Sequence, residues 1–144
     1  MKKLVYIVII GCGRLGSILA SDLSLQDHEV VVIDKDNSSF SALTEGFSGF
    51  SLIGDVAEMN VLEAAKLNQA QVAIAVTGKD NLNIMVSQLA INVFKVPIVL
   101  TRILDPAREK IYQDLGLKTI NTTNISAIAF LQTLQQQLAV SSEQ

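Results

Sequence analysis

Cysteine, histidine and tryptophan are scarce in this sequence of 144 residues, which contains one cysteine, one histidine and no tryptophan. A single cysteine cannot close a disulfide within the chain, and it is compatible with a reducing cytosol. Positive charge is not in excess either, because 11 Lys and Arg residues against 14 Asp and Glu residues give a net charge of −3. We therefore predict no nucleic-acid partner. No apolar run reaches the length of about 20 residues that crosses a bilayer, so no direct membrane insertion is predicted.

The sequence is rich in apolar residues, which make up 49% of it, whereas charged residues make up 17%. These proportions are typical of a well-packed α/β domain. A chain of this length buries about 68–70% of its unfolded surface, so it can fold without a disulfide or a structural metal, and no metal site is predicted. We predict one domain over residues 1–140 and a frayed tail over residues 141–144.

The strongest local pattern is the apolar stretch at residues 4–10, which is mostly β-branched and predicts a strand buried on both faces. It leads directly into Gly11, Gly13 and Gly16, which fit the pattern G-x-G-x-x-G at the start of a helix. In a phosphate site the first glycine permits a tight turn and the second leaves room for a pyrophosphate. The third lets the helix lie close to the sheet, and the helix N-terminus then faces the phosphate.

A second buried strand at residues 29–33 strengthens this interpretation because Asp34 stands at its end. At about 20 residues from the glycines, that is where the Rossmann fold places an acid that accepts hydrogen bonds from a ribose. A carboxylate there would repel a 2′-phosphate, so NADP is disfavoured. NAD(H), ATP, ADP and AMP all carry a free ribose diol, and the sequence leaves open which adenine nucleotide binds.

Strands and helices alternate along the rest of the chain. Further strands are predicted over residues 50–53, 72–76, 98–101 and 118–121, and helices over residues 36–45, 58–66, 80–96, 106–115 and 124–138. Right-handed crossovers make this a doubly wound parallel six-stranded sheet in the order 3-2-1-4-5-6. Ligands of such sheets bind at the carboxyl ends of the strands, and the residues that converge there are Gly11, Asp34, Asp55, Thr77 and Arg102.

These strand-end residues lie in segments that resemble the nucleotide-binding regulatory domain of potassium transporters and channels, called TrkA-N, KTN or RCK. The resemblance covers nearly the whole chain, and the order and spacing of its segments are more specific than the glycines alone. The segments are Gly-Cys-Gly-Arg-Leu-Gly at 11–16, Val-Ile-Asp-Lys-Asp at 32–36, Gly-Asp at 54–55, Ala-Val-Thr-Gly-Lys-Asp-Asn-Leu-Asn at 75–83, Thr-Arg-Ile-Leu-Asp-Pro at 101–106 and Leu-Gly at 115–116.

The resemblance implies a cytoplasmic regulatory subunit of a Trk/Ktr-type potassium uptake system, peripheral at the inner face of the membrane. Such a subunit binds an adenine nucleotide and gates a separate membrane potassium transporter or channel subunit. The resemblance also implies a homodimer or a higher ring, in which the last helix crosses to the partner. A smaller regulatory domain often follows in such proteins, and here we expect it to be missing or to be supplied by a second regulatory chain.

The apolar stripe of the last helix leaves two predictions open. The stripe can cross to a dimer partner, as the resemblance implies, or it can lie on the chain's own sheet. Its members are Ile125, Ile128, Leu131, Leu134 and Leu138.

The predicted cofactor-binding residues combine the glycine turn, the ribose acid and the strand ends, and no catalytic residue is predicted. Cys12 is interpreted as a small residue inside the turn, and Arg102 as a phosphate partner. The full set is Gly11, Cys12, Gly13, Arg14, Leu15, Gly16, Asp34, Lys35, Gly54, Asp55, Val56, Thr77, Gly78, Asn83 and Arg102.

The sequence departs from the family pattern at Lys79, where an acid is usual. Ala-Thr often stands at the positions of Val56 and Ala57, and an acid often stands near Lys118. Because Lys79 lies near the expected phosphate side, these changes bear on which nucleotide is preferred.

Three alternatives complete the sequence interpretation. A small NAD-dependent oxidoreductase would need a proton donor, and the only histidine, His28, lies at the wrong end of its strand. An adenine-nucleotide sensor for a non-potassium partner would have the same site. The first residues also resemble a bacterial lipoprotein signal ending at Cys12, but cleavage there would delete the first strand.

Overall fold

The computed structural model describes residues 3–142 and contains one sheet of six parallel strands. The strand order is β3-β2-β1-β4-β5-β6, with helices on both faces of the sheet. This confirms the predicted fold class and strand order. The strands are β1 (Tyr6–Ile10), β2 (Glu29–Asp34), β3 (Phe50–Ile53), β4 (Val72–Ala75), β5 (Ile98–Ile103) and β6 (Lys118–Asn121).

The first strand lies at the centre of the sheet because its side chains are apolar in both directions. Val8 and Ile10 face one core with Leu62 and Val86, whereas Ile7 and Ile9 face a second core under the first helix. Strand β1 pairs with β2 on one side and β4 on the other. The carboxyl ends of these three strands therefore meet where the glycine turn begins.

The helices differ from the prediction mainly at their ends. The helix predicted over residues 36–45 is a 3-10 helix over Asn37–Ala42, and Asp36 caps it by accepting the Ser38 N–H. The helix predicted over residues 58–66 is shorter, since Lys66 adopts a left-handed conformation with φ of 55°. The helices are α1 (Arg14–Leu25), α2 (Met59–Ala64), α3 (Asp80–Asn92), α4 (Glu109–Asp114) and α5 (Thr122–Ser142).

The final helix, α5, projects its apolar stripe away from the sheet. None of its residues is buried, and the five stripe residues are between 53% and 60% exposed. The alternative in which this stripe lies on the chain's own sheet is therefore wrong. Helix α5 extends through Ser142, beyond the predicted domain boundary at residue 140, while Glu143 and Gln144 lie outside the described residues. Within residues 3–142, no helix combines the length and the apolar content needed to cross a bilayer.

Candidate nucleotide-binding site

The glycine turn between β1 and α1 is built from three positions with different geometry. Gly11 has a positive φ of 105°, which an L side chain rarely adopts. A Cβ atom at Gly16 would lie 1.9 Å from the Gly11 carbonyl oxygen, so only glycine permits this helix to approach the turn. A Cβ atom at Gly13 would have nothing within 4 Å, so the turn has open space on that side.

The N-terminus of α1 faces this open space without a side-chain cap. Gly13 is the N-cap residue, and the first turn contains no acidic side chain. The first bond within the helix runs from the Ser17 N–H to the Gly13 carbonyl at 2.9 Å. The preceding N–H groups, those of Arg14, Leu15 and Gly16, therefore have no carbonyl partner inside the helix. Together with the helix dipole, they are suited to bind a phosphate.

Asp34 stands beside the turn at the end of β2, and the backbone fixes its carboxylate. Its Oδ2 accepts the Cys12 N–H at 2.9 Å, and its Oδ1 accepts the Asp36 N–H at 2.9 Å. The side chain is half-buried. A carboxylate offers about four lone-pair directions, so two remain for the hydroxyls of a ribose. The geometry therefore supplies an oriented acceptor next to an anion site.

A cleft of about 620 Å³ lies over the carboxyl ends of β1 to β5. Its volume is within the range of about 300–1,000 Å³ that is usual for small-molecule sites. The cleft brings together most of the predicted site residues, namely Gly11, Gly13, Asp34, Lys35, Gly54, Asp55, Val56, Thr77, Gly78 and Arg102.

The remaining predicted residues of the glycine turn lie outside the cleft lining. Arg14, Leu15 and Gly16 form the first turn of α1, where their backbone N–H groups have no side-chain cap. Cys12 is buried, and its thiol donates to the Ser39 carbonyl at 3.6 Å. Burial and the nearby Asp34 carboxylate raise the pKa of the Cys12 thiol, so the neutral form is favoured. This agrees with its interpretation as a small residue inside the turn.

Asn83 is also outside the lining, because it is fully buried behind the cleft. Its Oδ1 accepts the Thr77 N–H at 2.9 Å and the Thr77 hydroxyl at 2.6 Å. Its Nδ2 donates to the carbonyls of Thr77 and Arg102, each at 3.1 Å. These bonds use both donor and both acceptor positions of the amide. Asn83 therefore connects the ends of β4 and β5, and it has no capacity left for a ligand in this conformation.

Several lining residues were not predicted as site residues. Ile33 and Val76 are the last residues of the strands predicted over residues 29–33 and 72–76, and each directly precedes a predicted site residue in the sequence. That proximity was the signal by which they could have been included in the site. Leu82, in the first turn of α3, also lines the cleft. Lys79 was noted only as a departure from the family pattern, yet it lines the cleft.

The match to the TrkA-N domain family model covers residues 7–123. The chain belongs to the TrkA-N domain family. A Trk system potassium uptake protein TrkA from Streptomyces coelicolor is 40% identical over 129 residues, a match covering 90% of this chain and 58% of that protein. A TrkA homolog from Pyrococcus horikoshii is 36% identical over 115 residues, covering 79% of this chain and 50% of that protein. This TrkA-N domain therefore spans about half the length of these relatives.

Solved structures support the same fold for the TrkA-N domain. The TrkA-N domain of the Escherichia coli inner membrane protein ybaL matches with a TM-score of 0.78 and 18% identity, covering 93% of this chain and 99% of that one. The GsuK RCK domain matches with a TM-score of 0.80 and 19% identity, and the match covers 94% of this chain and 29% of that one. The AMP-bound Kef CTD of Shewanella denitrificans matches with a TM-score of 0.75 and 21% identity, and the match covers 92% of this chain and 81% of that one. GsuK has also been solved bound to ADP and to NAD.

Proposed function

We propose that this TrkA-N domain binds an adenine nucleotide in the cleft and, in a Trk/Ktr-type potassium uptake system, gates a separate membrane transporter or channel subunit. The observation that carries the proposal is the placement of an oriented carboxylate, Asp34, beside an uncapped helix N-terminus and an open glycine turn. The relatives named as Trk potassium uptake proteins support the potassium system over a non-potassium partner. In this proposal the domain acts in the cytoplasm at the inner face of the membrane.

The adenosine part of the nucleotide is assigned to the ends of β2 and β3, and the phosphates are assigned to the glycine turn that follows β1. The ribose lies against Asp34, with Asp55 near the adenine, and the phosphates lie over Gly13 and the first turn of α1. Structures of similar fold have been solved with AMP, ADP and NAD, which supports an adenine nucleotide as the ligand class. A carboxylate at the ribose disfavours NADP.

Nucleotide binding in the cleft can change the position of α5 through Arg102. Its Nε donates to the Thr122 hydroxyl at 3.2 Å, at the first residue of α5. The next residue, Thr123, donates its hydroxyl to the Leu104 carbonyl at 2.6 Å. A phosphate near Arg102 would compete with Thr122 for the guanidinium. A ligand that changes this contact binds two conformations unequally, which is the requirement for a regulatory shift.

The exposed stripe of α5 is the surface on which such a shift would act. We propose that α5 crosses to a second copy of the chain in a homodimer or a higher ring. Its exposed apolar side chains would be covered there, which is favourable at about 25 cal/mol per Å² of apolar area.

The proposed ligand class is tested by thermal unfolding with NADH, NAD, ATP, ADP and AMP. A nucleotide at about 100 times its Kd should raise the unfolding free energy by about 2.7 kcal/mol. If none of the five shifts the melting temperature at millimolar concentration, the domain does not sense adenine nucleotides. Steady oxidation of NADH in the presence of a small carbonyl compound would instead support the oxidoreductase.

Replacing Asp34 by alanine is expected to weaken binding of any of these nucleotides at least about tenfold, because charge-assisted hydrogen bonds to the ribose are lost. Titration calorimetry of the variant and the wild type measures the change. Asp22→Ala on the exposed face of α1 is the matched control, since it removes the same charge away from the cleft. Unchanged affinity in Asp34→Ala would place the ribose elsewhere.

A further inference from the structure

Charge is distributed unevenly along the cleft. The half formed by β2 and β3 carries two carboxylates, Asp34 and Asp55, and one cation, Lys35. The half formed by β4 and β5 carries two cations, Lys79 and Arg102. The glycine turn at the end of β1 lies between these halves because β1 is central in the sheet. A ligand that spans the cleft therefore meets one end with an excess of one negative charge and another end that carries only positive charge.

The two cations keep their charge available. Within residues 3–142, neither the Lys79 ammonium nor the Arg102 guanidinium has a carboxylate within 4.0 Å, and the Nε of Arg102 bonds a neutral hydroxyl. The acid next to Lys79 in sequence, Asp80, uses its two oxygens to accept the N–H groups of Leu104 and Asp105 at 2.8 and 2.9 Å. The positive potential at this end of the cleft is therefore not cancelled by an ion pair.

A neighbouring groove contains a cation that, unlike Lys79, is already paired with an acid. It shares Gly78 and Lys79 with the cleft and also contains Arg108. The guanidinium of Arg108 lies 3.9 Å from the Asp105 carboxylate, and it donates to the Asn81 side chain at 3.4 Å. Arg108 is thus already partnered by an acid, whereas Lys79 is the cation of this groove that also reaches the cleft.

We infer that Lys79, together with Arg102, determines specificity for a nucleoside triphosphate. This inference rests on the proposed function, because it requires the ribose at Asp34 and the first two phosphates at the glycine turn. Whatever follows the second phosphate then extends over the end of β4, toward Lys79. In a triphosphate that group is an anionic third phosphate. In NAD it is a ribose joined to a positively charged pyridinium, which the two cations repel.

Lys79→Gln tests the inference, with binding of ATP, ADP, AMP and NAD measured by calorimetry at one fixed salt and Mg²⁺ concentration. The wild type should bind ATP at least about tenfold more tightly than AMP or NAD, and Lys79→Gln should lose about tenfold for ATP. AMP should change by less than about twofold, because it places no phosphate beyond the glycine turn. NAD should bind Lys79→Gln at least as tightly as the wild type, because the substitution removes a charge that repels its pyridinium. Lys79→Arg should restore most of the ATP affinity, since it keeps the charge.

Lys118→Gln is the matched control, because Lys118 is exposed at the start of β6, away from the carboxyl ends of the strands. It should leave all four affinities unchanged. An equal loss for all four ligands in Lys79→Gln would overturn the inference. A wild type that binds AMP as tightly as ATP would also overturn it, while the proposed nucleotide site would stand. Binding of none of the four would overturn the proposed function and this inference together.

Discussion

A Gly13→Ala variant should fold about as stably as the wild type and lose nucleotide binding, whereas Gly16→Ala should be severely destabilised. The difference arises from the space around each glycine. Gly13 has φ of −77°, which alanine adopts without strain, and a Cβ atom there projects into the space proposed for the phosphate. At Gly16 the same atom would lie 1.9 Å from the Gly11 carbonyl oxygen, which would separate α1 from the sheet.

The stability change expected for Gly16→Ala is opposite in sign to the change that helix propensity alone predicts. Alanine in place of a helical glycine is normally favourable by about 1 kcal/mol, but the clash should reverse this and lower the unfolding free energy by about 4 kcal/mol or more. Urea unfolding measures stability, and calorimetry measures ATP binding. If Gly13→Ala bound nucleotide with wild-type affinity, the phosphate would not lie over the turn. If Gly16→Ala were as stable as the wild type, α1 could move away from the turn without loss.

Much of the fold was predictable because most strands are short apolar runs bounded by turn residues. The bounds of β6 over residues 118–121 were predicted as observed, and Gly116 ends the preceding segment with φ of 84°. The strand order followed from the handedness of the crossovers. The end of α2 was not predictable, because a lysine in the left-handed conformation, Lys66, carries no local signature.

The apolar stripe of α5 shows a second limit of sequence patterns. Its spacing identifies one side of a helix, but a pattern within one chain does not say which surface covers that side. The structure leaves the stripe exposed, so the chain's own sheet does not cover it. Helical periodicity therefore predicted the helix but not its packing.

The candidate site was predicted mainly through the carboxyl ends of the strands, which parallel topology brings together. Asp34, Asp55, Thr77 and Arg102 all line the cleft as that rule requires. The rule does not give the direction of a side chain. For Asn83, the first turn of α3 points the amide into the protein interior, behind the cleft. A ligand contact by Asn83, as predicted, and a buried position behind the cleft, as observed, therefore lead to different expected results when Asn83 is replaced.

Asn83→Ala should lower the unfolding free energy of the nucleotide-free domain by about 3 kcal/mol. The substitution leaves the Thr77 N–H and the carbonyls of Thr77 and Arg102 without their partner, and each buried unpaired group costs about 1–3 kcal/mol. Nucleotide affinity should also fall, because Thr77 and Arg102 would no longer be held at adjacent strand ends. Asn92→Ala, at the exposed end of the same helix, should change stability by less than about 0.5 kcal/mol.

Two measurements on Asn83→Ala separate a positioning role from a ligand contact. Urea unfolding without nucleotide reports the connection between β4 and β5, and calorimetry reports binding. If Asn83 positions the strand ends, stability without ligand falls, and added nucleotide restores part of it through linkage. If Asn83 instead turned toward the cleft to contact the ligand, the free domain would keep its stability and only the affinity would drop. The second result would contradict the observed hydrogen bonding, because the four bonds of the buried amide exist before any nucleotide binds.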